Sequence, residues 1–528
     1  MRQTLLLTLV CLLSYAPFSG KAFRMDSPVT IYMTHQMCDN FWNPAIGDFG
    51  VIMTTWNHTD LPRNSAFYAT PHPPLISAYL VPFVKIGGER ELLLNWAMFP
   101  FYLLSVLFFF GIAARVLPRW RFEAAVLFAV SPVLLVNAQN VMLDVPLACF
   151  AMGSFFFMFR SDSAKDALLA GIFAGLACLT KFSAGPLFIT AGIYYLMTRK
   201  WRPLLLFMIP FVAINGAWML HNQILFGKTQ LLNNGHMHYY LGDLRYRFER
   251  MISSLGGTVV LPVFVLGLAL WIKKYRIPAG ISVALASGWS FLMWRVLHYS
   301  PMASIMYAIF AAAGLVMLYG SITLFVGSGE KRKDVTLAAH TGINVIDGLF
   351  LTLYCVRYLL PFVFVPIIFF FKLIDDAPKI MPRRAAIWTC IITTALLSLS
   401  LSLADWQIAD ADKRIAQDIK ASYPGKTVHY IGRLGYMYYM DRVGCRNMVF
   451  PQDSALPGDI MVQNNMSSEG NDLFARKDLR FLEERRYPVF PLTTRDGKGC
   501  FYGGDRLPYW WSGWRHQRGF RIYERLGK

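Results

Sequence analysis

Charge is scarce in this chain: only 16% of its 528 residues are Asp, Glu, Lys or Arg, while 55% are hydrophobic and 15% aromatic. Soluble domains carry about 25% charged residues. A helix that spans a membrane needs roughly 20 mostly apolar residues, and many segments of this chain meet that requirement. The composition excludes a soluble enzyme with a single anchor. It predicts a polytopic α-helical membrane protein with about 13 transmembrane helices.

Several sequence motifs of well-known enzyme classes are absent. The chain has no Walker A motif, which argues against a P-loop ATPase. It also has no G-x-S-x-G nucleophile elbow and no H-E-x-x-H zinc helix. His35, His236 and His238 are not spaced with carboxylates as metal ligands are, so we predict no metal and no other cofactor.

Cysteines are few, and none of the eight forms a C-x-x-C pair. Five of them fall in or beside apolar runs, where cysteine acts as a small buried residue. Cys445 and Cys500 fall in a polar region near the carboxyl end. They are candidates for a disulfide if that region lies in an oxidising compartment, and the sequence leaves the pairing open.

The formal net charge is +19, and much of it sits in short loops. Basic residues follow the second, fourth, sixth, eighth, tenth and twelfth predicted segments. Cytoplasmic loops are short and rich in Lys and Arg, so these loops set the orientation. No basic helix stands apart from the membrane segments, which argues against nucleic-acid binding.

This orientation predicts two parts of the chain. Residues 1–404 would form the transmembrane domain, with a first outer loop at 21–90 and a second at 221–257. Residues 405–528 would form a small extracytoplasmic α/β domain, with strands near 427–431 and 459–462. Pro17 follows a cleavage-like Ser-Tyr-Ala, so we expect the first helix to remain uncleaved.

Five polar residues fall at predicted outer ends of apolar segments: Asp26, His72, Asp144, Lys181 and Arg357. Carboxylates next to lipid are costly and are often functional. A carboxylate can serve as the base that deprotonates an acceptor. Lysine and arginine can hold a phosphate. Together these residues suggest transfer of a sugar from a lipid-linked phosphate at the outer face.

Each residue also has a purely structural interpretation. Asp26 and Asp144 could begin helices, the latter with Pro146 in the first turn. Lys181 and Arg357 could extend towards lipid headgroups. His72 could be a polar residue in a proline turn. The sequence leaves these alternatives open.

A series of short motifs resembles the GT-C membrane glycosyltransferases, in particular family 39, which includes dolichyl-phosphate-mannose protein mannosyltransferases and aminoarabinose transferases. The resemblance covers nearly the whole chain. The motifs occur in this order: Asp26; His72-Pro73-Pro74-Leu75; Met142-Leu143-Asp144-Val145-Pro146; Gly175-Leu176-Ala177 through Lys181; Arg357-Tyr358-Leu359-Leu360-Pro361; and Gly435-Tyr436-Met437-Tyr438-Tyr439-Met440.

The resemblance implies an inverting hexosyl- or pentosyltransferase that uses a polyprenyl-phosphate sugar. Asp26 would be the catalytic base, and Asp144 would position the acceptor or polarise the site. Lys181, Arg357 and His72 would bind the donor phosphate. The substrate cleft would be lined by Tyr358, Pro73 and Pro74.

Two positions depart from the family pattern. Many relatives have Asp-Glu where this chain has Asp26-Ser27, which removes a second carboxylate. Many also have lysine where this chain has His72. That change weakens the expected phosphate site unless the imidazole is protonated.

The acceptor is predicted only as a lipid, a glycan or a protein. The predicted location is a bacterial inner membrane, with the active site and the carboxyl-terminal domain on the periplasmic side. Two other functions compete: a transporter or flippase, and a non-catalytic binder of lipid-linked sugars. Transporters usually place charges near mid-membrane in matched halves, whereas these candidates lie at one rim.

Overall fold

The computed structural model describes residues 1–45, 67, 72–197, 199–227, 229–230, 243–323, 331–350, 354–448, 455–464, 478–494, 501–502, 506–513 and 517–527. Within these ranges the structure is mostly helical. The helices are α1 (Arg2–Tyr15), α2 (Ser27–Asp39), α3 (Leu75–Gly87), α4 (Glu91–Val116), α5 (Arg121–Val130), α6 (Pro132–Ala138), α7 (Asp144–Arg160), α8 (Ala164–Thr180), α9 (Pro186–Leu196), α10 (Trp201–Phe226), α11 (Leu244–Thr258), α12 (Pro262–Trp271), α13 (Lys273–Arg295), α14 (Pro301–Thr323), α15 (Lys331–Phe350), α16 (Phe364–Asp376), α17 (Arg383–Ser422) and α18 (Leu434–Arg442).

Five of these helices are long and apolar enough to cross a membrane: α4, α10, α13, α14 and α17. The pairs α5–α6 and α11–α12 pass the same test together, which gives up to 7 spans if each pair counts as one. These numbers hold for the described residues and rest on length and composition. The polytopic class is confirmed, and the predicted number of about 13 spans stays a prediction.

Two stretches of the chain differ from what local patterns predict. The apolar stretch 121–138 is not one straight span, because it is broken between α5 and α6, which meet at an angle of 54°. Pro132 opens α6, and proline cannot continue the hydrogen bonding of a preceding helix. The predicted outer loop 221–257 contains the end of α10 and nearly all of α11, which turns by 91° into α12. Most of α11 is buried, so this helix is part of the folded body.

Two glycines allow α11 and α14 to cross in close contact. A Cβ on Gly256 would lie 1.9 Å from the carbonyl oxygen of Phe310. A Cβ on Gly314 would lie 1.8 Å from the carbonyl oxygen of Ile252. Small residues let helix backbones approach each other in membrane proteins, where dispersion contacts stabilise the pair.

The carboxyl-terminal part contains the strands β1 (Val428–Ile431), β2 (Arg446–Asn447), β3 (Ile460–Asn464), β4 (Leu479–Pro488), β5 (Leu492–Thr493), β6 (Trp510–Trp511) and β7 (Gln517–Arg525). Five strands form one sheet in the order β2-β1-β3-β7-β4. β1 is parallel to β2 and β3, while β7 is antiparallel to β3 and β4. β5 and β6 pair separately. The strands predicted near 427–431 and 459–462 are therefore present.

The predicted division at 404/405 falls inside α17, a continuous helix of 40 residues. Its first half is apolar, and its second half carries buried residues such as Ile408, Ile415 and Ile419 at helical spacing. One continuous helix thus joins the apolar bundle to the sheet. The domain assignment itself stays a prediction.

Candidate active site

Asp26 lies in a tight turn between the first helix and α2. It occupies the N-cap position of α2, but its side chain makes no capping hydrogen bond. The turn is closed by the amide of Ser27, which donates to the carbonyl of Arg24 at 3.1 Å. Met25, inside the turn, has a φ of 52°, a conformation that costs a residue with a Cβ roughly 1–3 kcal/mol. The surrounding contacts must compensate for this cost, and the turn presents the Asp26 carboxylate away from its own helix.

Arg357 forms an ion pair with the Asp26 carboxylate. It lies in a short 3-10 turn, Val356–Leu359, and its side chain is 8% exposed. The guanidinium Nη1 pairs with Asp26 and also lies 3.7 Å from a carboxylate oxygen of Asp144. Its Nε donates to Cys355 Sγ at 3.3 Å. Arg357 is thus buried between the two aspartates rather than extended towards headgroups.

Asp144 is the first residue of α7, and Pro146 occupies the first turn as expected for a helix start. Its carboxylate accepts a hydrogen bond from Lys181 Nζ at 2.8 Å. Lys181 follows the last residue of α8 in an extended conformation, which directs its side chain back to α7. Both side chains are only 4% exposed. A buried pair of this kind costs about 3–5 kcal/mol to break by removing one partner.

These contacts form one linear arrangement of alternating charge: Asp26, Arg357, Asp144 and Lys181. The two carboxylates differ in exposure. The Asp26 side chain is 40% exposed, whereas that of Asp144 is 4% exposed. Asp26 is therefore the carboxylate that a substrate can reach, and Asp144 is held between two cations.

Tyr358 completes the cluster. Its ring lies under the ammonium group of Lys181, with 4.4 Å from Nζ to the ring centroid. A cation over an aromatic face is stabilised by the ring quadrupole. Tyr358 also lines a small cavity beside Asp144 and Arg357.

This cavity is also lined by polar residues that the sequence patterns did not indicate: Ser183, Asn344 and Asp347. Asn344 and Asp347 lie on α15, which contains the charged run Lys331-Arg332-Lys333-Asp334 at its start and is not an apolar segment. Polar residues three apart share a helix face, and this spacing is the only local signal that could have indicated them.

His72 lies close enough to Asp144 for an electrostatic interaction between the two side chains. Its backbone carbonyl accepts a hydrogen bond from Gln230 Nε2 at 3.1 Å. Pro74 precedes α3, and Pro73 is buried. Within the described residues, neither proline lines the cavity beside Asp144. The structure thus brings His72 towards the cluster.

The candidate disulfide involves Cys500, which lies outside the described residues. Among the residues that are described, no group of three or more His, Cys, Asp or Glu side chains is arranged to hold a metal ion. The absence of a metal requirement stays a prediction, as do the roles assigned to the individual site residues.

Residues 71–221 match a family model described as dolichyl-phosphate-mannose-protein mannosyltransferase. This segment includes His72, Asp144 and Lys181. The match confirms the resemblance to GT-C glycosyltransferases that the sequence motifs indicated. No curated protein sequence matches the chain.

Solved structures that superpose on this chain are also those of GT-C glycosyltransferases. The oligosaccharyltransferase from Archaeoglobus fulgidus, in complex with Zn and sulfate, superposes with a TM-score of 0.51 at 13% identity, covering 88% of this chain and 68% of that chain. This similarity shows a shared fold.

Two further structures match less closely. ArnT from Cupriavidus metallidurans, bound to undecaprenyl phosphate, gives a TM-score of 0.45 at 15% identity, covering 91% of this chain and 96% of that one. The arabinofuranosyltransferase AftD from Mycobacteria gives a TM-score of 0.42 at 13% identity, covering 100% of this chain and 40% of that chain.

Proposed function

We propose that this protein is an inverting membrane glycosyltransferase. It transfers a sugar from a polyprenyl phosphate to a lipid, glycan or protein acceptor on the outer face of the membrane. The observation that carries the proposal is the pairing of an accessible carboxylate, Asp26, with a buried cation, Arg357. The family match over residues 71–221 supports the same class of reaction.

In the proposed reaction the acceptor hydroxyl or amine attacks the anomeric carbon of the donor sugar. The bond between that carbon and the phosphate oxygen breaks, and the polyprenyl phosphate leaves with the electron pair. Asp26 takes the acceptor proton as general base, a role that typically contributes 10²–10⁴-fold in rate. Its exposure suits this role better than the enclosed position of Asp144.

Lys181 and Arg357 stabilise the charge that develops on the leaving phosphate. An ammonium group has three donors and a guanidinium five, so each cation retains donors beyond the contacts described above. Asp144 keeps both cations in place by accepting from Lys181 and lying 3.7 Å from Arg357. Donors that are fixed before the reaction cost no reorganisation when charge develops. No metal is needed for these steps.

The test uses purified protein in lipid nanodiscs with radiolabelled polyprenyl-phosphate sugars and a membrane extract as acceptor. Asp26→Asn should abolish transfer while donor binding stays within about twofold, because the amide cannot take a proton. Asp39→Asn, at the exposed end of the same helix, is the matched control and should transfer normally.

Transfer that survives Asp26→Asn unchanged would contradict the assignment of the base. Failure of the wild type to transfer sugar from any donor would contradict the proposed enzyme class. Movement of intact lipid-linked sugar across the bilayer would then point to a flippase, and donor binding without turnover would point to a binding protein.

A further inference from the structure

A second buried polar cluster lies where the first loop, helix α17 and the carboxyl-terminal part meet. We call it the Asp405 cluster, and all of its side chains are buried. Its members are Lys21, Arg24, Asn140, Asp405, Thr494 and Tyr502. It is distinct from the charged residues around Arg357, and the proposed reaction does not use it.

Asp405 is the acceptor at the centre of this cluster. Lys21 and Arg24 both form ion pairs with its carboxylate. Thr494 donates its hydroxyl to Oδ1 at 3.0 Å, and Tyr502 donates to Oδ2 at 2.9 Å. Four donors, two from the first loop and two from the carboxyl-terminal part, therefore meet on one fully buried carboxylate. Buried charges are tolerated only when they are paired and hydrogen-bonded in this way.

Asn140 closes the cluster into a ring. Lys21 Nζ donates to Asn140 Oδ1 at 2.8 Å, and Asn140 Nδ2 donates to the hydroxyl of Tyr502 at 3.0 Å. Tyr502 in turn donates to Asp405. A closed ring of hydrogen bonds in a low-dielectric interior restrains its members, because each bond constrains the next.

Two members of the Asp405 cluster precede the two aspartates of the active site in sequence. Arg24 is two residues before Asp26 and supplies the carbonyl that closes the turn on Ser27. Asn140 is four residues before Asp144, in the connection between α6 and α7. The Asp405 cluster thus anchors both segments that present a carboxylate to Arg357.

The carboxyl-terminal part also contacts the same loop directly. Tyr439, on α18, accepts the amide hydrogen of Phe23 at 2.7 Å. Gly435 lies so close to the loop that a Cβ there would sit 2.6 Å from the carbonyl oxygen of Phe23. Residues of α18 therefore contact the first loop at Phe23, in addition to the contacts that the Asp405 cluster makes with it.

We propose that Asp405 is a positioning residue and that it sets the geometry of Asp26 and Asp144 from a distance. Arg24 holds the strained turn that presents Asp26, and Asn140 holds the residues that lead to Asp144. Through Thr494 and Tyr502 the carboxyl-terminal part becomes a structural component of the active site. The inference rests on the proposed function for its catalytic consequence but not for its structural one.

Tyr502→Phe tests the proposal with little risk to folding, because it removes one hydroxyl and no charge. We expect kcat to fall about 10-fold or more, since small misplacements of catalytic groups are costly. Donor KM and affinity for polyprenyl phosphate should stay within twofold. Tyr102→Phe is the matched control, because Tyr102 is also fully buried and its hydroxyl donates to a backbone carbonyl, that of Ala129, at 2.9 Å.

Arg24 provides a second pair of variants. Arg24→Gln should lower kcat in the same way, and Arg24→Lys should restore part of it because the positive charge next to Asp405 is kept. A proportional loss of kcat and donor affinity in both variants would contradict a positioning role and indicate general loss of structure.

Hydrogen–deuterium exchange gives a readout that does not need activity. In Tyr502→Phe, exchange should increase in residues 22–30 and 139–145 and remain unchanged in α13 and α14. Unchanged exchange in both segments, or a uniform increase throughout the protein, would overturn the proposal. If the wild type transfers no sugar but exchange rises only in these segments, the proposed function fails and the structural link stands.

Discussion

Arg357 pairs with Asp26 across 331 residues of sequence, and this contact joins the first loop to the segment before α16. The Asp26 side chain remains 40% exposed, while that of Arg357 is 8% exposed. The pair therefore combines a reachable carboxylate with a cation that is fixed in the interior. A general base next to a phosphate-binding group requires this combination of access and rigidity.

Lys181 provides a test of phosphate binding. Lys181→Met should weaken binding of polyprenyl phosphate about 10-fold or more, because a charge-assisted hydrogen bond contributes roughly 1.5–3 kcal/mol. Lys181→Arg should keep most of the affinity. Binding is measured with purified protein and the lipid phosphate without its sugar. Lys85→Met, at an exposed lysine of α3, is the control, and an equal loss there would contradict the assignment.

Tyr358 provides a test of the aromatic contact. Its ring centroid lies 4.4 Å from Lys181 Nζ, and a desolvated cation–π contact is worth about 2 kcal/mol. Tyr358→Phe keeps the ring and should bind donor as the wild type does. Tyr358→Leu should weaken donor binding about 10-fold or more, since 1.4 kcal/mol corresponds to a factor of ten. Equal loss in both variants would show that the hydroxyl group, rather than the ring, matters.

The crossing of α11 and α14 gives a test of packing. Gly256→Ala should lower the thermal unfolding midpoint, because the new methyl group would lie 1.9 Å from a backbone oxygen that cannot move away. Overpacking of this kind costs about 1–3 kcal/mol or more. Gly280→Ala in α13 is the control, since a Cβ there meets nothing within 4 Å. It should be neutral, or more stable by up to about 1 kcal/mol through helix propensity.

Asp162 gives a prediction about pH. It lies in the connection between α7 and α8, and hydrogen bonds from Arg332 Nη1 at 3.1 Å and Nη2 at 2.6 Å lower the pKa of its carboxyl to about 2. In the unfolded chain the same carboxyl has a pKa of about 3.9. The ionised Asp162 carboxylate therefore stabilises the fold fully above its pKa in the unfolded chain. This stabilisation is lost as the pH falls towards 2.

Asp162→Asn should lower the free energy of unfolding by about 1 kcal/mol at neutral pH, a value reduced for partial solvent exposure. The difference in unfolding midpoint between the variant and the wild type should shrink when the pH is lowered below the unfolded pKa. Asp39→Asn removes an exposed carboxylate and is the control, which should leave the unfolding midpoint unchanged at neutral pH. A constant difference down to pH 2 would contradict an electrostatic origin.

The sequence predicted the polytopic membrane class more accurately than it predicted the bends of individual helices. Apolar runs, short basic loops and the strands near 427–431 and 459–462 are local patterns, and they indicated a polytopic protein with strands near its carboxyl end. The breaks at Pro132 and between α11 and α12 were missed. A bend depends on what the two halves contact, whereas hydropathy averages over a window and is insensitive to direction.

The candidate site residues likewise divide into those that the sequence indicated and those that only the structure revealed. Asp26, His72, Asp144, Lys181 and Arg357 were identified because each falls at a predicted outer end of an apolar segment and in a motif of the series that resembles the GT-C family. Their contacts overturn the idea that Lys181 and Arg357 extend to headgroups, since both are buried against carboxylates. Asp347 and Asp405 were not identified. Each lies in a helix whose local pattern does not distinguish a residue that lines a site from one that is merely solvated.

The sequence by itself determined that this chain spans a membrane, which polar residues border the apolar segments, and in what order its family motifs occur. Only the tertiary structure decided that Asp26 meets Arg357, that Asp144 meets Lys181, and that Asp405 accepts from donors in the first loop and in the carboxyl-terminal part. The physical reason is distance. Hydrophobicity and helix signals act between neighbours in sequence, whereas an ion pair or a hydrogen-bonded ring forms only when the fold brings distant residues to within a few ångströms and removes water from around them.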